Sequence, residues 1–256
     1  MKYYDDLLQM KIFHYDDIVN LTGNDNTAKS VLQQYSQKGY IAMIKKGLYV
    51  TINIVDKEPV SNKFAIASQL TPSSFVSHHS AFEYYGYANQ VSYDITVTSE
   101  ERITPFEFNG QFYRRIAPSI KSGITKQADG VWVSDIERTV LDCINLFEKD
   151  MGFEELISCI SAVPMLNEQK LLRYLWEYDK NFLYQKTGFI LEHFRNDFDL
   201  SEGFFEICKT KSGKSSRYLL KDTDKNNAET CSKWRLTIPK NLWNNMMNGG
   251  DESAYI

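Results

Sequence analysis

Residues 15–50, YDDIVNLTGNDNTAKSVLQQYSQKGYIAMIKKGLYV, limit the local fold more tightly than any other part of the chain. Asp16, Asp17, Ile18, Val19 and Leu21 predict a first helix. It is expected to stop at Thr22-Gly23-Asn24, because Gly23 can take the positive φ that closes a helix. Asn24, Asp25 and Asn26 offer capping side chains to a second helix, expected over residues 26–38. Its apolar positions Ala28, Val31, Leu32 and Tyr35 fall at i, i+3, i+4 and i+7, one buried stripe. After Gly39 come two short β-type runs, 41–44 and 48–51, joined by Lys45-Lys46-Gly47. Gly47 suits a hairpin turn and places the two lysines at its tip. Helix, tight turn, helix and hairpin together predict a winged helix-turn-helix over residues 1–55.

The polar side of the second helix carries Asn26, Ser30, Gln33 and Gln37, flanked by Thr27, Lys29 and Gln34, with no acid after Asp25. Ordinary solvated helix faces are rich in Glu and Lys paired at i,i+4. Side-chain amides can instead pair bidentately with adenine, and Lys and Ser reach base edges or phosphates. These seven residues are therefore candidate readers of double-stranded DNA, with Lys45 and Lys46 holding its backbone. The competing reading is a small helical domain with a hairpin that serves protein contacts.

A length of 256 residues fits two domains, and 43% hydrophobic residues suffice for packed cores. The net charge of −4 speaks against a protein that coats nucleic acid without specificity, but not against a reader with local basic patches. Residues 1–55 hold six lysines (2, 11, 29, 38, 45, 46) against five aspartates (5, 6, 16, 17, 25), a balance of +1. Cys143, Cys159, Cys208 and Cys231 are far apart, with no CxxC pair or Cys/His cluster, so reduced thiols and no zinc site are expected. The charged start MKYYDDLLQMKIF has no apolar signal-peptide core, and no run approaches the ~20 apolar residues of a membrane span. A cytoplasmic protein without membrane contact or cofactor is expected.

The remainder reads as mixed, giving an α+β fold with a second domain over 62–256. Residues 3–10 predict a short helix whose Leu7, Leu8 and Met10 pack beneath the helix-turn-helix. Polar NIVDKEPVS marks the boundary. Helices are expected over 62–70, after Ser77, from Ser134 or Asp135 through SDIERTVLDCINLF, and over 153–161, 167–178 and 187–195. Strands are expected at YDITVT, around Asn109-Gly110 in FEFNGQFYRRI, at 131–133, and in the tail at FFEICKT, SRYLLK and KWRLTIP. The last residues, NNMMNGGDESAYI, read as frayed.

Candidate chemistry is sparse, and no enzyme is expected. Ser77-His78-His79-Ser80 offers histidines but no nucleophile elbow, and GxSxG, the P-loop and HExxH are all absent. Glu206 and Lys209 are one residue too far apart for a D…ExK nuclease. Asp135, Glu137, Arg138 and Asp142 share one helix, where Arg138 and Asp142 can pair at i,i+4; carboxylates this close could hold a metal, but an ion-pair network between helix and sheet is expected. Arg114, Arg115, Lys209, Lys211, Lys214 and Arg217 are candidate auxiliary phosphate contacts, the last four within KTKSGKSSR, which reads as a flexible loop or else a plain solvated turn.

Five further pieces, with the KKGLYV end of the N-terminal region, carry a resemblance over most of the chain. They are SHHSAFEYYG (77–86) with YDITVTS, VSDIERTVLDCI (133–144), TGFILEHF (187–194) and KWRLTIPKNL (233–242). In this order and spacing the chain resembles the AbiEi antitoxins, the regulators of AbiE abortive-infection (phage-defence) toxin–antitoxin systems described as type IV. The resemblance implies an N-terminal domain that binds inverted-repeat operator DNA and represses its own operon. It implies a larger C-terminal domain that counters a nucleotidyltransferase-like toxin without a stable complex being required. Two alternatives stand beside it: a module that binds the toxin directly without regulating DNA, and an enzyme that modifies the toxin.

Overall fold

The computed structural model describes residues 2–243, and they form a mixed α+β structure. Contacts divide the chain into two compact units. The first takes residues up to 76 together with 92–118 and 126–133; the second takes 77–91, 119–125 and everything from 134 onward.

The first unit begins with α1 (Tyr4–Met10), β1 (Ile12–His14), α2 (Tyr15–Thr22), α3 (Asp25–Gln37), β2 (Ile41–Lys45) and β3 (Leu48–Thr51). β3 is central in a three-stranded antiparallel sheet, with Phe13 opposite Tyr49 and Ala42 opposite Val50. Tyr4, Leu7, Phe13, Ile18, Ala28, Val31, Leu32, Tyr35 and Ile41 form one core of these elements, so the stripe expected on α3 is the buried one. The Thr51 hydroxyl donates to the Leu7 carbonyl at 2.7 Å and fastens α1 to the end of β3. Met10 departs from expectation. It is the last residue of α1, sits at the edge of the stripe set by Tyr4 and Leu7, and is 38% exposed.

The same unit continues with α4 (Lys63–Ala67), β4 (Phe75–Val76), β5 (Asp94–Thr98), β6 (Phe106–Phe108), β7 (Gln111–Ile116) and most of β9 (Trp132–Ser134), while β8 (Ile124–Lys126) lies mainly in the stretch 119–125. The sheet order is β6-β7-β5-β4-β9-β8, with β5 and β7 parallel and β6 and β7 an antiparallel hairpin. Asn109 and Gly110 both take positive φ, 47° and 70°, as a two-residue primed turn requires. α4 is shorter than the expected 62–70, because the Ser68 hydroxyl bonds back to the Ala65 carbonyl as the chain leaves the helix.

The second unit holds α5 (His78–Tyr85), α6 (Ile136–Asp150), α7 (Phe153–Ser161), α8 (Glu168–Tyr178), α9 (Asn181–His193) and α10 (Glu202–Lys211), followed by β10 (Arg217–Tyr218), β11 (Ala228–Cys231) and β12 (Leu236–Pro239). Asp135, not Ser134, caps α6 by accepting the Arg138 backbone N–H at 3.0 Å. Two expected elements are corrected. FFEICKT lies in a helix rather than a strand: Ser201 caps the Phe204 N–H, and Phe204, Phe205 and Cys208 bury one helical face. A short apolar run of this kind fits either period until its partners decide. α9 starts at Asn181, well before 187, because it is buried nearly all round and shows no polar stripe to mark its start. Residues 244–256, expected to fray, lie outside the described residues.

Candidate nucleic-acid interface

Gly23 ends α2 in the left-handed region (φ 69°), and Asn24 opens α3 with its side chain accepting the Thr27 N–H at 3.1 Å. The turn between the helices is therefore set by one glycine and one cap. On α3 the buried stripe leaves Asn26, Lys29, Ser30, Gln33, Gln34 and Gln37 exposed, with Thr27 half-buried. Lys29 is paired with Asp25 at 2.6 Å, and Tyr15 donates to the same carboxylate. These bonds hold Asp25 below and Lys29 above their usual ranges. A phosphate that engages Lys29 must compete with that pair.

The β2–β3 turn carries Lys45 and Lys46 on Gly47, whose φ is 81°. The Gly47 carbonyl accepts the Tyr15 N–H at 3.1 Å, so the hairpin tip is tied to the start of α2. Lys46 is exposed and Lys45 half-buried. Burial holds the Lys45 ammonium below its usual range, with Glu101 pulling the other way. Of the two ammonium groups, Lys46 is the more accessible.

The auxiliary candidates are placed less simply. Arg114 on β7 pairs with Asp94 at 3.3 Å. Arg115 donates to the carbonyls of Ser99 and Glu100 at 2.9 and 3.0 Å. Both guanidiniums thus already hold the sheet and its following loop. Lys209 and Lys211 lie on the last turn of α10 rather than in a loop, Lys209 beside Glu206 and Lys211 over the Trp176 ring at 4.3 Å. Lys214 is an exposed loop residue, and the Arg217 guanidinium stacks over Phe182 at 5.0 Å.

The distinctive SDIERTVLDCI segment builds a buried polar network in the second unit. Arg138 is fully buried and bonds Asp142 at 3.3 Å, the Ser122 carbonyl at 2.5 Å and the Ile120 carbonyl at 3.1 Å. Tyr178 donates to Asp142, and Tyr174 to Asp135 at 2.6 Å. Lys170 closes the network on Asp135 and Glu137. The i,i+4 pairing of Arg138 with Asp142 is thus present. The partners beyond it lie on α8 and at Ile120 and Ser122 ahead of β8, rather than on the sheet.

Two arrangements have no signal in the sequence spacing. Glu155 gathers His79 and Cys159 from α5 and α7, described further below. Lys186 in α9 is buried, donates to the Asn145 carbonyl at 2.7 Å and lies over the rings of Phe147 and Phe182. Burial lowers it from 10.5 to about 7. Between those two values the unfolded chain binds the proton that the folded protein has released, so folding stability rises with pH there. Lys186→Met, which keeps the volume and drops the charge, is expected to match or exceed wild-type stability at pH 7. Its advantage should shrink as pH approaches 10 in urea titrations; a difference independent of pH would contradict this account.

No protein-family model matches the chain, and no curated protein matches it. Among solved structures it is similar to the crystal structure of the RV2827C protein from Mycobacterium tuberculosis. The TM-score is 0.62 at 10% identity, covering 92% of this chain and 89% of that one. At that identity the likeness concerns the fold alone. Among the described residues no helix is long and apolar enough to cross a membrane.

Proposed function

We propose that this chain is the antitoxin and autorepressor of a bacterial toxin–antitoxin operon of the abortive-infection kind. In this reading residues 1–55 are a winged helix-turn-helix that binds inverted-repeat operator DNA, and 62–256 counter a nucleotidyltransferase-like toxin in the cytoplasm. The observation that carries the DNA-binding half is the exposed amide-and-hydroxyl face of α3 together with a lysine-tipped hairpin in the same N-terminal segment. α3 enters the major groove, where Asn26, Thr27, Lys29, Ser30, Gln33, Gln34 and Gln37 meet base edges. Lys45 and Lys46 hold the backbone. The antitoxin half rests on the resemblance of the motifs from SHHSAFEYYG to KWRLTIPKNL.

Two substitutions separate base reading from backbone contact. Gln33→Ala is expected to lose about 1–3 kcal/mol of discrimination between the operator and a variant changed at one base pair. Lys46→Ala is expected to weaken every duplex alike and reduce the salt slope by about 1. Wild-type affinity and specificity in both would remove α3 and the hairpin from the interface.

A direct toxin-binding module is the second reading. It is favoured by an open apolar groove of about 360 Å³ lined by Leu172, Trp176, Tyr184 and Ile207, with Trp176 66% exposed. It predicts stable co-purification with the toxin and no preference for operator DNA.

A further inference from the structure

We propose that His79, Glu155 and Cys159 form a binding site for one zinc ion. His79 lies in the first turn of α5, and Glu155 and Cys159 are one turn apart on α7. All three are buried, and one ligand atom from each lies within 4.8 Å of the others. Glu155 Oε1 is 3.0 Å from His79 Nε2 and 3.4 Å from Cys159 Sγ. Ligands about 2.0–2.3 Å from a tetrahedral zinc stand roughly 3.3–3.8 Å apart, so the cluster needs only small opening to accept the ion.

A second observation points the same way. Glu155 Oε2 is buried and has no hydrogen-bond partner among the described residues, in a side chain only 7% exposed. A buried carboxylate with one oxygen unpaired is costly, and a cation held by that carboxylate through Oε1, with Oε2 closing on it as a bidentate ligand, would offset the cost. The other oxygen is already oriented. The backbone N–H groups of Asn89 and Gln90 donate to Oε1 at 3.1 and 3.2 Å, the kind of support that fixes a metal ligand. Glu155 also lines an open cavity of about 560 Å³ whose charged lining is Glu148, Glu154, Asp222 and Lys221, so acids outnumber the one lysine on the wall that a cation would meet.

The donor set selects the metal. Thiolate, imidazole and carboxylate together suit zinc, whereas magnesium and calcium take oxygen ligands. Three protein ligands leave the fourth position to water. On binding, the Cys159 S–H bond is replaced by a Zn–S bond and one proton goes to solvent. His79 coordinates through the Nε2 lone pair, its remaining proton on Nδ1. Burial, then Glu155, pushes the Cys159 thiol up in the metal-free protein, and a bound dication reverses that balance. The ion would staple α5 to α7.

The test uses the full chain, stripped with chelator and titrated with Zn²⁺ and, separately, Co²⁺ as a spectroscopic probe. One equivalent is expected to bind, with a thiolate-to-cobalt charge-transfer band. X-ray absorption of the zinc form should show one sulfur at about 2.3 Å among nitrogen or oxygen ligands. Cys159→Ser should abolish the band and Glu155→Gln should weaken binding at least tenfold, while Cys231→Ser keeps both. The absorption measurement needs no variant, so misfolding of a mutant cannot hide the answer. Absence of stoichiometric binding, a shell without sulfur, or a band that depends on Cys231 overturns the site.

Discussion

Arg138→Ala is expected to cost about 3–5 kcal/mol of folding stability, enough to unfold much of the protein at moderate temperature. The cost follows from what the guanidinium leaves behind. Asp142 is 4% exposed and, among the described residues, would keep only the Tyr178 hydroxyl as a hydrogen-bond partner. The carbonyls of Ile120 and Ser122 would lose their donor as well. Gly123, next in the chain, has φ 76°, and a Cβ there would meet Arg138 and Tyr174 atoms at 2.9 Å, so this loop is built tightly around the arginine. Little space exists for it to collapse onto the vacated volume. Arg138→Lys should recover part of the loss, since one ammonium can reach Asp142 but cannot also bond both carbonyls. Urea unfolding checks this: a shift of the Arg138→Ala midpoint equivalent to less than about 1 kcal/mol would show that the network is not structural.

The second large effect concerns Gly188 and Trp234. Trp234 is fully buried, and its ring lies against α9 where only hydrogen fits: a Cβ on Gly188 would stand 2.1 Å from the ring. Its indole N–H donates to Glu192, one turn further along α9, at 2.7 Å. Trp234→Ala should cost about 3–5 kcal/mol through lost burial and the cavity left behind. Gly188→Ala should cost about 1–3 kcal/mol or more by overpacking, even though alanine is the better helix former. The double variant should be less destabilised than the sum, because the smaller residue at 234 removes the clash at 188. Strict additivity in a double-mutant cycle would mean that the two side chains are not packed as described.

What the sequence reveals depends on how local the cause is. α3 is legible because its stripe, Ala28, Val31, Leu32 and Tyr35, and its cap, Asn24, lie within a dozen residues. α6 is legible from Asp135 and its apolar period, and the β6–β7 turn from Asn109-Gly110. The exposed face of α3 follows from its buried one. Elements whose form depends on distant partners are opaque. FFEICKT fits two periods, and the burial of Phe204, Phe205 and Cys208 is what makes it α10. Arg114 and Arg115 read as free cations until the sheet brings Asp94 and the carbonyls of Ser99 and Glu100 to them. His79 and Glu155 are 76 positions apart, and their meeting depends on α5 and α7. Pairing of β5 with β7 and of β4 with β9 likewise places 92–118 and 126–133 with the N-terminal residues, which chain order does not foretell.

Fluorescence anisotropy of the full chain on the DNA immediately upstream of its own gene decides whether it is a sequence-specific operator reader. An unrelated duplex of equal length serves as control, each at two salt concentrations. Tight binding to the upstream DNA is expected, at least ~10³-fold stronger than to the control at physiological salt, with a preference that survives added salt better than the nonspecific component. Equal, salt-labile binding to both duplexes, or none to either, would contradict it.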